Sequence, residues 1–196
     1  MPKTDPAREA LLTALEASGV SIPLWDGILI EETVRIAPGA TILPGCVLRG
    51  NTTIAAGSVI GPGSVLTDAV IGKNCIVKNT YITESTLEEN VSIGPFSQVR
   101  PGCHIAAGCK IGDFVEVKNS HIGQKTAIAH LTYVGDTDCG SGVNFGCGVA
   151  IANFNGKEKF RTTIGDGAFL GCNTNLVAPV TIGAGAYTAA GATVTR

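Results

Sequence analysis

From Ile36 onward the chain repeats itself every six residues. Large apolar residues stand at Ile36, Ile42, Leu48, Ile54, Ile60 and Leu66, and the series continues through Ile71, Val77, Ile82 and Leu87 with occasional steps of five. Steps of six resume from Ile93 to Val117, then Ile122, Ile128, Val134, Cys139, Phe145 and Ile151 follow. Past a polar interruption the series returns at Ile164, Leu170, Leu176, Ile182, Thr188 and Val194. Neither the alternation of an ordinary strand nor helical spacing generates a period of six. A short strand plus a tight turn does, and three such units close one coil of a triangular solenoid. The stack predicts parallel pairing between successive coils, an apolar prism inside, and glycine or small residues at the corners. Composition agrees. Gly is 26 of 196 residues, about twice the usual share, and aromatics are only 5%, so aliphatic side chains must fill a narrow interior.

Before the repeat, Asp5 followed by Pro6 reads as a helix start, a capping side chain and then proline at the first helical position. Leu11, Leu12 and Leu15 give the helix an apolar stripe, and Gly19 is a plausible stop. This segment is expected to cap the open end of the array, with residues 20–35, including Pro23 and Trp25, as connector. The organisation expected is therefore 1–35 as capping helix and connector and 36–196 as the repeat. Lys+Arg number 14 against 16 Asp+Glu, which gives no general reason to expect nucleic acid or an anionic membrane as partner. No apolar run approaches the roughly 20 residues that span a bilayer, and MPKTDPAREALL lacks the pattern of a signal peptide. A cytoplasmic protein is expected. Of seven cysteines, Cys46, Cys75, Cys103 and Cys109 share the small-residue slot of the hexad. With an odd total and no C-x-x-C, reduced core residues fit better than disulfides or a zinc framework.

The interrupted stretch Ile128–Arg161 carries His130, Tyr133, Asn144, Asn153 and Lys159, and a regular scaffold that breaks its pattern once usually works there. Several strings are more specific than the hexad: GPFSQVRPG (94–102), FVEVKNS (114–120), AHLTYVGD (129–136), NFGCG (144–148), NFNGKEKFRTTIGD (153–166) and LVAPVTIGAGAYTAAGATVTR (176–196). In this order the chain resembles the hexapeptide-repeat acyltransferases, and among them the glucosamine-1-phosphate N-acetyltransferase domains of the enzymes that make UDP-N-acetylglucosamine. The resemblance implies an all-β, left-handed parallel β-helix, an exception to the right-handed crossover rule. It implies acetyl-CoA as co-substrate with no metal required, small-molecule substrates, and a homotrimer with sites between subunits.

The resemblance also implies roles. His130 matches the catalytic base. Arg100, Lys118 and Lys159 match cations that hold the sugar phosphate, and Tyr133 and Asn144 match substrate contacts. Cys147, Asn153, Phe154, Cys172 and Ala190 fall where the acetyl-CoA site is lined. The residue types suit the chemistry. A sugar ammonium must lose a proton before it attacks a thioester, and histidine, with an ordinary pKa of about 6.5, accepts protons near neutral pH. Arginine can fork onto phosphate oxygens while lysines add point charges. Glycines 146 and 148 are expected to offer backbone N–H groups to the developing oxyanion. Glu116, two residues from Lys118, admits three roles: orienting His130, meeting a sugar hydroxyl, or pairing with lysine.

Against the family pattern, Phe154 stands in place of a common tyrosine, and Cys147 and Cys172 in place of alanine and serine. The 196 residues hold no counterpart of the family's uridylyltransferase domain or of its last cationic segment, so uridylyl transfer is not expected of them. Two other classes stay open: a non-catalytic trimeric scaffold or partner of a separate nucleotidyltransferase, and a zinc enzyme using three histidines. For the latter His104, His121 and His130 lack a close pair.

Overall fold

The computed structural model describes residues 5–195. Residues 1–4, which open the capping segment, and Arg196, which ends the last hexad, lie outside the described residues. The six-residue unit becomes a strand of two to four residues and a turn, and the strands assemble into three parallel sheets of ten, nine and nine strands. Apart from the first and last of each sheet, every strand pairs with the third strand before it and the third after it, which is the register of a three-sided coil stacked on itself. The first face begins with Leu29–Ile30, the second with Arg35–Ile36 and the third with Thr41–Ile42.

Each apolar hexad position points inward. Leu48, Leu66, Val117, Val134 and Leu176 fill the prism from the first face, Ile54, Leu87, Ile105 and Ile164 from the second, and Ile42, Ile93, Ile128 and Phe145 from the third, all at most 2% exposed. Fully burying such a side chain contributes about 1.5–3 kcal/mol, and each is buried only because the next coil lies on it. Cys46, Cys75, Cys103 and Cys109 are free thiols buried in the small slot, and burial pushes all four upward in pKa. Cys139 takes a large apolar slot, where burial drives it to about 12. These five are packing groups.

The helix Pro6–Ala17 starts as expected: Asp5 accepts hydrogen bonds from the N–H groups of Ala7 and Arg8 at 3.1 and 3.3 Å. Leu12 is fully buried in the core and Leu11 and Leu15 pack beside it, so the helix closes the first coil. The stretch expected as connector contributes more than a link: Leu29–Ile30 pairs with Val47–Leu48, and Ser21 bridges to Thr41. Pro23 and Trp25 hide that coil from a periodicity search. No helix among the described residues is long and apolar enough to cross a membrane.

Candidate active site

One corner of the solenoid, between the third and first faces, gathers most of the residues singled out above. Asp113 ends one strand of the third face, His130 ends the next, and the two are register partners. The Gly148 N–H then donates to the His130 carbonyl at 3.3 Å, Asn173 N–H to Cys147 at 2.7 Å, and Gly191 N–H to Cys172 at 2.7 Å. Asp113, His130, Cys147, Cys172 and Ala190 therefore form one column, one residue per coil. His130 and three of the five proposed acetyl-CoA contacts, distant in sequence, are stacked neighbours.

The His130 ring is more than half exposed, and its Nδ1 lies 2.6 Å from Asp113 Oδ1. That contact, with its charge, holds the Asp113 carboxyl below its usual range. Sequence reasoning missed Asp113. The signal was its separation from His130 by 17 residues, one coil here, which only the register converts into contact.

The first face carries the cations. Glu116 is the register partner of Tyr133, and Arg100 donates to Glu116 Oε1 at 2.9 Å, so the cation that Glu116 meets is arginine and not the lysine two residues away. Lys118 Nζ lies 3.8 Å from Asp136 Oδ2, with the Asp136 side chain only 7% exposed. Burial raises the Asp136 pKa. Hydrogen bonds from Asn119 and Asn153, and the charges of Lys118 and Lys159, outweigh that and leave it below its ordinary value.

Lys159 arrives from the interruption. The Asn155 side chain accepts from the N–H groups of Lys157 and Glu158 at 2.9 and 2.8 Å, a turn asparagine makes readily. Phe154 and Lys159 then pair as an antiparallel bridge. This hairpin brings Lys159 against Lys118, whose proximity and charge lower the Lys159 pKa.

Asn153, grouped above with the acetyl-CoA wall, is buried and gives its amide to Asp136 and, at 3.4 Å, to Tyr133 Oη. Gly135 makes room for that meeting, since a Cβ there would sit 2.4 Å from Tyr133 Oη and 2.7 Å from Asn153 Nδ2. Phe154 is exposed beside it. Asn144 stands apart on the third face, between Ala127 and Phe169.

The oxyanion expectation needs correction. The N–H groups of Gly146 and Gly148 donate to Leu170 O at 2.7 Å and His130 O at 3.3 Å, so coil stacking consumes both. A Cβ on Gly146 would meet the next coil's backbone at 2.5 Å, which is the reason for glycine there. The three histidines do not converge either. His104 and His121 lie tilted to each other on the second face, ring centroids 6.1 Å apart, with His104 Nε2 3.2 Å from Glu88, while His130 sits at the corner.

Comparison with known proteins agrees with this construction. The bacterial transferase hexapeptide (six repeats) pattern matches residues 33–68, 84–119 and 161–196. The bifunctional protein GlmU of Brevibacillus brevis is 56% identical over 110 residues, which is 56% of this chain and 24% of the relative. That of Acetivibrio thermocellus is 54% identical over 110 residues, with the same shares. The match thus spans about a quarter of the length of these relatives. Among solved structures, the UDP-N-acetylglucosamine acyltransferase of Francisella novicida superposes with a TM-score of 0.50 at 20% identity, covering 85% of this chain and 60% of that one, a likeness of fold alone. With its three matched blocks covering more than half of the sequence, the chain belongs to the bacterial transferase hexapeptide family.

Proposed function

We propose that the protein is an acetyl-CoA-dependent N-acetyltransferase of an amino-sugar phosphate, with glucosamine-1-phosphate as the substrate, on the route to UDP-N-acetylglucosamine. The observation that carries the reading is the position of His130. It stands on the corner between a cationic face and a column of small side chains. On the cationic side, Lys118 and Lys159 are held close enough to repel each other. A fold tolerates such a pair most readily where an anion is meant to join it. Arg100 lies one coil away and supplies a planar fork to the same anion.

His130 takes the proton from the attacking amine. Tyr133, fixed between Glu116 and Asn153, stands three residues beyond it, where the sugar must lie to reach both base and cations. Acetyl-CoA supplies the acyl group as a thioester. Cys147, Cys172 and Ala190 fit its narrow acyl end, because the column they form carries no side chain larger than a thiol. Neither thiol is needed as nucleophile.

The active form is proposed to be a homotrimer. Phe96, Phe114 and Leu131 project beside His130 with more than half of each side chain exposed, an apolar strip that a neighbouring subunit would cover. Asn144, on the third face, would then serve the site of the adjoining subunit. The test is direct: the purified protein with acetyl-CoA and glucosamine-1-phosphate should release free thiol, and His130→Ala should suppress it. No release with any amino-sugar phosphate would defeat the proposal.

A further inference from the structure

We propose that Asp113 is the positioning residue of His130: its carboxylate accepts a hydrogen bond from Nδ1–H and leaves Nε2 as the nitrogen that receives the proton of the amine. The inference rests on the reaction proposed above and adds a residue to it.

Four observations carry it. The contact is short, 2.6 Å between Nδ1 and Oδ1, in the range of a charge-assisted bond. It names one nitrogen, and the nitrogen engaged decides which the other can be: an ionised carboxylate only accepts, so Nδ1 must carry hydrogen. Asp113 is available as that acceptor, because its bond to His130 keeps the carboxyl ionised through the whole neutral range. Among the described residues Nε2 makes no hydrogen bond or ion pair, and the ring is open to solvent.

The backbone holds both partners in place. Asp113 and His130 are paired residues of adjacent strands, and the Leu131 N–H donates to the Asp113 carbonyl at 3.0 Å. Gly112, immediately before Asp113, lies so close to the next coil that a Cβ would sit 1.7 Å from the Ala129 carbonyl oxygen. The carboxylate therefore approaches the ring from a corner with no slack. Second partners of this kind orient an imidazole and set its tautomer, and their loss lowers function from about 10-fold to about 10⁴-fold.

The experiment uses the full chain labelled with nitrogen-15, with pH raised until the His130 nitrogen shifts stop changing. Long-range proton–nitrogen correlation reads which His130 nitrogen bears hydrogen. The unaltered protein is expected to show Nδ1–H, and Asp113→Ala to move the ring toward Nε2–H, the commoner form of free histidine. Asp113→Asn, whose amide oxygen still accepts from Nδ1–H, should hold the original form in part. In acetyl transfer, Asp113→Ala is expected to lower kcat at least about tenfold while both KM values stay within about twofold, and Asp113→Asn to recover part of the loss. Asp113 is only partly buried and lies outside the apolar core, so these variants should fold. An Nε2–H ring in the unaltered protein, a tautomer indifferent to Asp113→Ala, or an unchanged kcat would each overturn the assignment. Absence of acetyl transfer by the unaltered chain would defeat the proposed reaction instead, and the nitrogen measurement would still decide the role of Asp113.

Discussion

The corner between the third and first faces is built twice over, once plainly and once at a cost. In the early coils its left-handed residue is Gly45 and then Gly63, and in the late coils Gly148, Asn173 and Gly191. In the middle coils the same backbone position is taken by Phe96, Phe114 and Leu131, at φ of 56, 55 and 48°. A left-handed residue with a side chain costs roughly 1–2 kcal/mol, and asparagine tolerates it better than phenylalanine or leucine do. The stacking of Phe96 on Phe114, with ring centroids 5.5 Å apart, recovers part of that, but all three side chains stay largely exposed. Turn geometry alone asks only for glycine. Asparagine also takes the corner, at Asn79 and Asn173, but the coils that place phenylalanine or leucine there are those that carry Arg100, Lys118, His130 and Tyr133, so the strain coincides with the candidate chemistry.

The sharpest way to break this comparison is at the position just before the left-handed residue. His130→Ala should lower kcat about 10²- to 10⁴-fold, read by thiol release, with little change in thermal stability. Pro44, which precedes Gly45 in the same column, should be replaceable by alanine with no change in rate. Equal effects at both positions would mean that the middle coils are scaffold like the rest.

The next contrast sets Asp136 against Asp68, two left-handed aspartates between the first and second faces. Asp68 is exposed and accepts one backbone hydrogen bond, from Asn51 at 2.8 Å. Asp136 is buried with two asparagines and a lysine around it. Asp136→Ala should destabilise the fold by about 3 kcal/mol, because it leaves a half-buried lysine unpaired, while Asp68→Ala should cost no more than about 1 kcal/mol. Denaturant titration separates the two. The pH dependence has a definite sign. The folded-state pKa of Asp136 is depressed, so its contribution is complete above the unfolded value near ~3.9 and is lost as pH falls from there through the lower folded value. Asp136→Asn should flatten that acid limb and leave stability between pH 5 and 8 without slope from this group.

These contrasts also mark what could be read from the sequence. The fold was legible because one residue type in six must point inward, and every inward position from Ile36 to Val194 except Thr188 was visible as an apolar residue at its step. The corner column was legible only in part. His130, Cys147, Cys172 and Ala190 stood out through their local strings, but their alignment depends on coil lengths of 17, 18 and 25 residues that no periodicity alone fixes. Asp113 and Asp136 escaped notice for the same reason: each sits about one coil from its partner, too far to appear as a motif. Asn153 was placed with the acetyl-CoA wall through its local string, but its bonds to Asp136 and Tyr133 were not visible, since they depend on the hairpin around Gly156. The Gly146 and Gly148 N–H groups misled because a glycine that exists to let coils stack looks, in sequence, like one that exists to bare its backbone.

A gentler contrast separates binding from stability at Arg100. Its pair with Glu116 is substantially exposed on both sides, so breaking it should leave stability almost unchanged. Arg100→Ala should nonetheless raise KM for the sugar phosphate about tenfold, the loss of one charge-assisted phosphate contact, and leave KM for acetyl-CoA unchanged. Equal rises for both substrates would remove Arg100 from phosphate recognition.

The smallest expected effect bears most closely on why the middle corners are strained. Leu131→Gly relieves a left-handed side chain at a gain of roughly 1–2 kcal/mol and gives back about 0.5–1 kcal/mol in backbone entropy. A single chain should therefore be slightly more stable with glycine there, by about 0.5 kcal/mol in denaturant titration at a concentration where the chains are dissociated. If Leu131 serves assembly, sedimentation of the same variant should show a weaker trimer, and acetyl transfer should fall with dilution sooner than in the unaltered protein. A variant that is more stable as a single chain and associates equally well would detach the strain from assembly. The cause would then have to be sought in what Leu131 does for the ring of His130, its neighbour on the same turn.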